Sequence, residues 1–215
     1  MSIKAIAFDL DGVLVNAMAL HEEAFCAAVR LAGKVSFGVE DHRPLAGLPT
    51  KTKLRHLVER GIIKTQDQEA IAKQKQALTL EYISQRCRPD RKRAALLAHL
   101  VSRKIKVGVV TNCSRLATMR MLEYTQLAPH IAAIVTNEDV PAPKPDPSGY
   151  HAICGMLQAA PTETLAIEDH PRGVEAASKA GLHVAVLHQF DDLDLEFVED
   201  AIQRMETQCP PSALA

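Results

Sequence analysis

Short apolar segments recur along the chain, and most of them are separated by segments whose apolar residues repeat at helical spacing. The apolar segments span residues 3–10, 106–111, 132–136, 164–168 and 183–187. They are nearly continuous in Val, Ile, Leu and Ala, which is typical of strands covered on both faces in a parallel sheet. Helical patterns at residues 91–103, 114–124 and 171–181 lie between them. This alternation predicts an α/β fold with a doubly wound, mainly parallel sheet.

One long stretch near the start of the chain breaks this alternation. It contains no strand segment, but it carries helical patterns at residues 21–31, 50–59 and 67–85. We therefore predict a core domain formed by residues 1–15 and 88–215, with an inserted all-helical cap domain at residues 16–87. An insertion at this point would stand over the carboxyl ends of the strands, where open α/β sheets bind their ligands.

Composition narrows the classes of function. Of the 215 residues, 47% are hydrophobic and 24% are charged, as in an ordinary folded globular chain. Aromatic residues make up only 4% and the net charge is −1, which disfavours stacking platforms or a strong field for nucleic acid. The run at residues 86–93 carries five positive charges, but no recognition motif accompanies it, and we expect it to be a solvated link between cap and core. No nucleic-acid partner is expected.

Two other features bear on location and assembly. No apolar run approaches the roughly 20 residues of a membrane helix, and the opening MSIKAIAFDLDG does not have the pattern of a signal peptide, so no membrane partner is expected. The five cysteines are scattered and odd in number, which favours free thiols in a reducing, cytoplasmic setting. The default expectation for assembly is a monomer or a weak homodimer.

Acidic residues stand where two of the predicted strands end. Asp9 and Asp11 follow the first strand, with Gly12 allowing a turn beside them, and Glu168 and Asp169 end the fourth strand. Like charges this close resist joint ionisation unless a cation neutralises them, and Mg²⁺ is the usual hard cation with oxygen ligands. The alternative for each pair is a turn or a helix cap.

Two other strand ends offer groups suited to an anion. Thr111 and Asn112 end the second strand before a predicted helix, and a hydroxyl, an amide and free backbone N–H groups there form an anion cradle or a plain helix cap. Lys144 lies among three prolines, which stiffen a loop that a solvated lysine would not need. Together the strand ends provide what phosphoryl transfer requires, because that chemistry depends mainly on alignment and charge neutralisation.

Four segments carry a family resemblance. DLDGVLV, VVTNCS, KPDPSGY and IEDHPRGVEAASKAG resemble, in order and spacing, the four motifs of the haloacid dehalogenase superfamily, in its branch of phosphoglycolate phosphatases and β-phosphoglucomutases with a helical cap. The resemblance covers nearly the whole chain. It implies a Rossmann-like core and a Mg²⁺-dependent enzyme acting on a small phosphorylated metabolite.

The resemblance also implies roles for particular residues. Asp9 would be the nucleophile that forms an aspartyl-phosphate, and Asp11 the general acid and then the base. Thr111 and Asn112 would hold the phosphoryl group, and Lys144 would offset its charge. The metal would be held by Asp9, Asp11 (through its main-chain carbonyl), Glu168 and Asp169. Because Asp11 is present, phosphate chemistry is favoured over dehalogenation.

The chain departs from the family pattern around the cap. Asn16 and Ala17 stand where relatives often have an acid followed by a hydroxyl residue. His21 stands where relatives of this branch often have a histidine near the substrate, and we expect it to bind substrate. His170 follows the second acidic pair, where it would either donate to Glu168 or cap the next helix.

A cap loop bears on the choice between phosphatase and mutase. Residues 45–51 resemble the specificity loop in which β-phosphoglucomutases carry a Lys and an Arg, but Ala46 and Thr50 stand at those positions and Lys51 is one residue out of register. Thr50 and Lys51 are the substrate-binding candidates here. We predict a phosphatase. The alternatives are a hexose-phosphate mutase and, from another class, a non-catalytic phospho-acceptor or binding module, although receiver modules carry their acceptor on the third strand.

Overall fold

The computed structural model describes residues 2–208. Five parallel strands form one sheet: β1 (Ala5–Phe8), β2 (Lys106–Val110), β3 (Ala133–Val135), β4 (Thr164–Glu168) and β5 (His183–Val186). Their order in the sheet is β3-β2-β1-β4-β5. The chain thus builds one side of the sheet outward from β1 and then returns to build the other, so β1 lies at the switch point.

Helices cover both faces of this sheet. Those of the core are α5 (Arg91–Ser102), α6 (Arg115–Tyr124), α7 (Ser148–Leu157), α8 (Pro171–Lys179) and α9 (Leu195–Gln208). Alternate residues of β1 enter two clusters, with Ile6 and Phe8 in one and Ala5 and Ala7 in the other. All four are fully buried, as expected for a strand covered on both faces.

The insertion between β1 and β2 is entirely helical. It contains α1 (Met18–Gly33), α2 (Val39–His42), α3 (Thr50–Glu59) and α4 (Gln68–Arg86). These helices pack around a hydrophobic cluster of their own that includes Phe25, Leu57 and Ile71. The predicted α/β fold with an inserted all-helical cap is confirmed, whereas the exact division at residues 16–87 remains a prediction.

The basic run between cap and core is used within the protein. Arg86 pairs with Glu23 at 2.6 Å, and the guanidinium of Arg88 donates to carbonyl groups at the end of α4. Arg93 is buried, donates to the carbonyl of Val13 at 3.1 Å, and lies 3.5 Å from the ring centroid of Phe190. The expectation of a wholly solvated link was therefore wrong at Arg93, because a buried guanidinium needs these acceptors to offset its desolvation.

Neither a disulfide nor a membrane span occurs in the part of the chain that the structure describes. Cys26, Cys87, Cys113 and Cys154 are free thiols, and Cys209 lies outside the described residues. Among residues 2–208, the helices are all too short or too polar to cross a bilayer.

Candidate active site

The carboxyl ends of the central strands bring the sequence-predicted core residues together. Asp9 and Asp11 follow β1, Thr111 and Asn112 follow β2, and Glu168 and Asp169 end β4, while Lys144 arrives on the loop between β3 and α7. All seven line one cavity of about 960 Å³ that lies between the sheet edge and the cap helices.

Lys144 lies at the centre of the floor of this cavity. Its Nζ donates to Asp9 Oδ1 at 2.5 Å, to Glu168 Oε1 at 2.6 Å and to the carbonyl of Val110 at 2.7 Å. Burial lowers the pKa of this amine, but the charges of Asp9 and Glu168 outweigh that effect and raise its pKa. Lys144 is therefore a fixed, permanently charged cation beside Asp9.

Glu168 has a second buried donor that the sequence analysis did not identify. The hydroxyl of Tyr150, in α7, donates to Glu168 Oε1, and both side chains are almost fully buried. Burial and the charge of Glu168 raise the pKa of Tyr150 well above its usual value, so the phenol stays a donor. Tyr150 is part of the KPDPSGY segment, but nothing in that segment alone points its hydroxyl at Glu168.

Two glycines leave room for the second acidic pair. A Cβ on Gly12, whose φ is +91°, would lie 2.1 Å from Asp169 Oδ2. A Cβ on Gly173, in the first turn of α8, would lie 2.0 Å from the Glu168 carboxyl carbon. Any side chain at either position would displace a carboxylate. Glycine at these two positions therefore allows Asp169 and Glu168 to pack directly against the backbone.

The charges on the floor of the cavity fit a divalent cation. Asp9, Glu168 and Asp169 each offer an oxygen, and these atoms lie within 4.8 Å of one another. Burial and the neighbouring carboxylates raise the pKa values of Asp9 and Asp169, although Lys144 opposes this at both. Three carboxylates against one ammonium leave an excess of two negative charges when all are ionised. Oxygen ligands in this number suit Mg²⁺.

Thr111 and Asn112 differ in what they contact. Thr111 Oγ1 accepts from the backbone N–H of Cys113 at 3.0 Å and faces the cavity. Asn112 uses both ends of its amide on the backbone of Lys144, with Oδ1 accepting from the N–H at 2.9 Å and Nδ2 donating to the carbonyl at 3.3 Å. Asn112 thus fixes the lysine loop, and it also lines the cavity, where its contact with a phosphoryl group stays a prediction.

Asp11 faces the cap side of the cavity. His21 Nε2, from α1, lies 3.2 Å from Asp11 Oδ1, and Cys113 Sγ donates to Oδ2 at 2.8 Å. Burial raises the pKa of Asp11, but the charge and hydrogen bonds of these two neighbours outweigh it and hold the pKa below its usual value. The resting Asp11 carboxylate is therefore ionised, and His21 and Cys113 hold it in place.

The cap loop lies directly against the core. Gly47, with φ +72°, faces His170, and a Cβ there would lie 2.7 Å from His170 Nε2. His170 Nδ1 accepts from the backbone N–H of Arg172 at 3.2 Å, so His170 caps α8 and does not donate to Glu168. Thr50 and Lys51 both line the cavity, and Lys51 is exposed.

Other polar cap residues line the cavity that the sequence analysis did not identify. Glu22, His42 and Lys53 form one hydrogen-bonded chain, and Lys75 lies 3.5 Å from His21 Nδ1. Lys75 lies in α4, within the helical pattern predicted at residues 67–85. Two residues depart from the family pattern where the cap begins. Asn16 is exposed, and Ala17 is fully buried at the start of α1.

Comparison with known proteins assigns the class. A model of the haloacid dehalogenase-like hydrolase family matches residues 6–187, and the chain belongs to this family of enzymes. The resemblance noted in the sequence is thereby confirmed. Enzymes of this family generally use Mg²⁺.

Individual relatives lie on both sides of the phosphatase–mutase choice. The chain is 27% identical over 204 residues to a phosphorylated carbohydrates phosphatase of Thermotoga maritima, covering 88% of each chain. It is 26% identical over 221 residues to a β-phosphoglucomutase of Bacillus subtilis, covering 92% of this chain and 95% of the relative. The crystal structure of a β-phosphoglucomutase from Clostridium difficile has the same fold, with a TM-score of 0.80 and 19% identity over 95% of this chain and 99% of that one.

Proposed function

We propose that this chain is a Mg²⁺-dependent phosphatase that hydrolyses a small phosphomonoester through an aspartyl-phosphate on Asp9. The observation that carries the proposal is the carboxylate of Asp9, which Lys144 holds at 2.5 Å on the floor of a cavity, with Asp11 beside it. Asp9 lines this cavity, and its Oδ2 has no hydrogen-bond donor among residues 2–208, so this oxygen is not held by another group.

In the first step, the Asp9 carboxylate attacks phosphorus. The bond from phosphorus to the ester oxygen breaks, and the leaving alcohol takes a proton from the pair formed by Asp11 and His21. Lys144 and the backbone N–H groups after Thr111 offset the charge on the phosphoryl oxygens. The sum is one P–O bond formed and one broken.

In the second step, water attacks the phosphorus of the acyl phosphate. The pair formed by Asp11 and His21, which gave up its proton in the first step, takes the proton from water, the bond from phosphorus to Asp9 breaks, and inorganic phosphate leaves. Asp9, Glu168 and Asp169 would hold Mg²⁺ together with the main-chain carbonyl of Asp11. When bound, the ion neutralises charge on the transferring group.

The test is a panel of phosphorylated metabolites assayed for phosphate release with Mg²⁺ or with EDTA. We expect turnover of at least one member, lost in EDTA and lost in Asp9→Asn. Asp192→Asn, an exposed aspartate outside the cavity, is the matched control and should retain full activity. Turnover that survives either EDTA or Asp9→Asn contradicts the proposal.

A phosphomutase acting on a hexose phosphate is the second possibility, favoured by the Bacillus subtilis relative. Against it, Ala46 and Thr50 stand where the resemblance calls for a Lys and an Arg, so the loop offers no cation at either position. The same panel separates the two, because a mutase forms an isomeric sugar phosphate and is activated by a sugar bisphosphate. A phosphatase releases free phosphate only.

A further inference from the structure

The cap places two lysines in the wall of the cavity, opposite the acidic floor. Lys53 comes from α3 and Lys75 from α4, and both side chains are half-buried and line the same cavity as Asp9 and Asp11. Neither amine lies within 4.0 Å of a carboxylate in the described range 2–208. Desolvation penalises an ammonium that has no anionic partner, so two half-buried lysines in one cavity wall call for an explanation.

Lys53 is held in place by a buried histidine. Its Nζ lies 2.7 Å from His42 Nε2, and His42 Nδ1 lies 2.9 Å from Glu22 Oε1. An ammonium can only donate, so Nε2 accepts and Nδ1 carries the proton that is donated to Glu22. His42 is only 4% exposed, which fixes the ring and, through it, the direction of the lysine. Such support is typical of a positioned functional group.

The surroundings of Lys53 disfavour its positive charge. Burial and the charge of Lys75 lower the pKa of Lys53 to about 8, although Glu22 acts in the opposite direction. Burial and Lys53 likewise lower the pKa of His42, so that ring is neutral and adds no charge. An anion placed between Lys53 and Lys75 would relieve the repulsion that these shifts report.

A purely structural role explains Lys53 less well. Its amine lies 5.2 Å from the ring centroid of Phe25, and its stem packs within the cap. This cation–π contact uses the charge of Lys53 but occupies none of its hydrogen-bond donors. The amine has three N–H groups and only one hydrogen-bond partner within residues 2–208, which leaves donors for a ligand in the cavity.

We infer that Lys53, positioned by His42 and Glu22 and assisted by Lys75, binds a second anionic group of the substrate. The substrate class is then a phosphomonoester that carries a further phosphate or carboxylate away from the transferring phosphoryl group. This inference rests on the proposed function, because it takes the floor of the cavity as the site of phosphoryl transfer. It adds a specificity-determining residue that stands two positions beyond Lys51.

The experiment compares two pairs of probes that differ in one acidic group. The pairs are 3-phosphoglycerate with glycerol 3-phosphate, and fructose 1,6-bisphosphate with fructose 1-phosphate. We expect kcat/KM of the wild type to be about tenfold or more higher for the more acidic member of at least one pair, and that pair identifies the group as carboxylate or phosphate. Lys53→Met should reduce this preference to within about threefold, and Lys53→Arg should restore most of it.

Two controls make the result specific. Lys73→Met changes an exposed lysine of the same helix as Lys75, outside the cavity, and should leave both kcat/KM values unchanged. Calorimetric binding of the same probes to Asp9→Asn, with and without Lys53→Met, measures the preference without turnover. Thermal unfolding of each variant verifies that it is folded.

The outcomes separate the two proposals. Phosphate release with no preference for the acidic member of either pair, or with a preference that Lys53→Met retains, overturns the inference and leaves the phosphatase proposal standing. Absence of phosphate release from every substrate, together with a binding preference that depends on Lys53, overturns the phosphatase proposal and supports the anion site. A preference lost equally in Lys73→Met also counts against Lys53.

Discussion

Replacing Lys144 with Met would remove the buried ammonium group between Asp9 and Glu168 while keeping most of the aliphatic stem. In the native chain its three N–H groups have three acceptors, at 2.5 Å, 2.6 Å and 2.7 Å. The exposed fractions of the three side chains are 7% for Lys144, 13% for Asp9 and 1% for Glu168. The substitution therefore leaves two buried carboxylates without their cation.

The expected cost follows from this burial. Removing one partner of a buried ion pair destabilises a protein by about 3–5 kcal/mol, since the remaining charge stays desolvated. Burial already raises the pKa of Asp9, and Lys144 acts to lower it, so its loss raises that pKa further. A carboxyl with a raised pKa binds more protons folded than unfolded, and its ionisation as the pH rises therefore lowers the stability. We expect the destabilisation to increase as the pH rises, so that it is larger at pH 8 than at pH 5.

The assay is urea unfolding followed by circular dichroism at pH 5, 6, 7 and 8, in EDTA so that no divalent cation replaces the lost charge. Lys179→Met, on an exposed lysine that pairs with Glu175, is the control and should stay within about 0.5 kcal/mol of wild type at every pH. A destabilisation by Lys144→Met below about 1 kcal/mol, or one that does not change with pH, would refute the reasoning.

Two further predictions concern the cap. Gly47→Ala should raise KM and lower kcat together, because its Cβ would lie 2.7 Å from His170 Nε2 and hold the loop away from the core. The control is Gly61→Ala, which has a similar φ of +69° but nothing within 4 Å of its Cβ, and it should change stability alone. Equal kinetic effects in the two variants would contradict this prediction. Burial and the charge of Lys75 lower the pKa of Lys53 to about 8, although Cys26 and Glu22 act in the opposite direction. If Lys53 binds an anion, KM for the preferred acidic probe should therefore rise between pH 7 and 9, as the amine loses its proton. Lys53→Arg should abolish that rise, and its persistence would assign the titration to another group.

The core strands could be predicted to within a few residues because their apolar segments are continuous and short. The prediction for β4 matches its bounds, and that for β1 was longer at both ends, since the observed strand is only Ala5–Phe8. Two helices of the core, α7 and α9, were not predicted from the sequence. In α7, Gly149 and Gly155 interrupt the apolar pattern.

Most residues on the floor of the cavity could be predicted from the sequence, because they lie at strand ends. Parallel strands place their carboxyl ends at one edge, so Asp9 and Asp169 converge because β1 and β4 pair in register. Lys144 reaches the same edge on the loop between β3 and α7, which Asn112 holds in place. The cap side was predicted only in part. His21, Thr50 and Lys51 do line the cavity, whereas Lys53 and Lys75 were not identified, because a helix directs neighbouring side chains to different sides. Lys51 and Lys53 are two residues apart, about 200° around α3, and only Lys53 turns inward to His42.

By itself, the sequence determined the class of protein: an α/β core with a helical insertion and a set of acids, a hydroxyl and a lysine ordered for phosphoryl transfer. These properties are local, since they depend on segment composition and on where each strand ends. The tertiary structure decided which side chains meet. Tyr150 hydrogen-bonds to Glu168, Asn112 to the backbone of Lys144, and Lys53 to His42. Such contacts join residues distant along the chain, and their directions depend on how helices pack across the cavity, which no local pattern records.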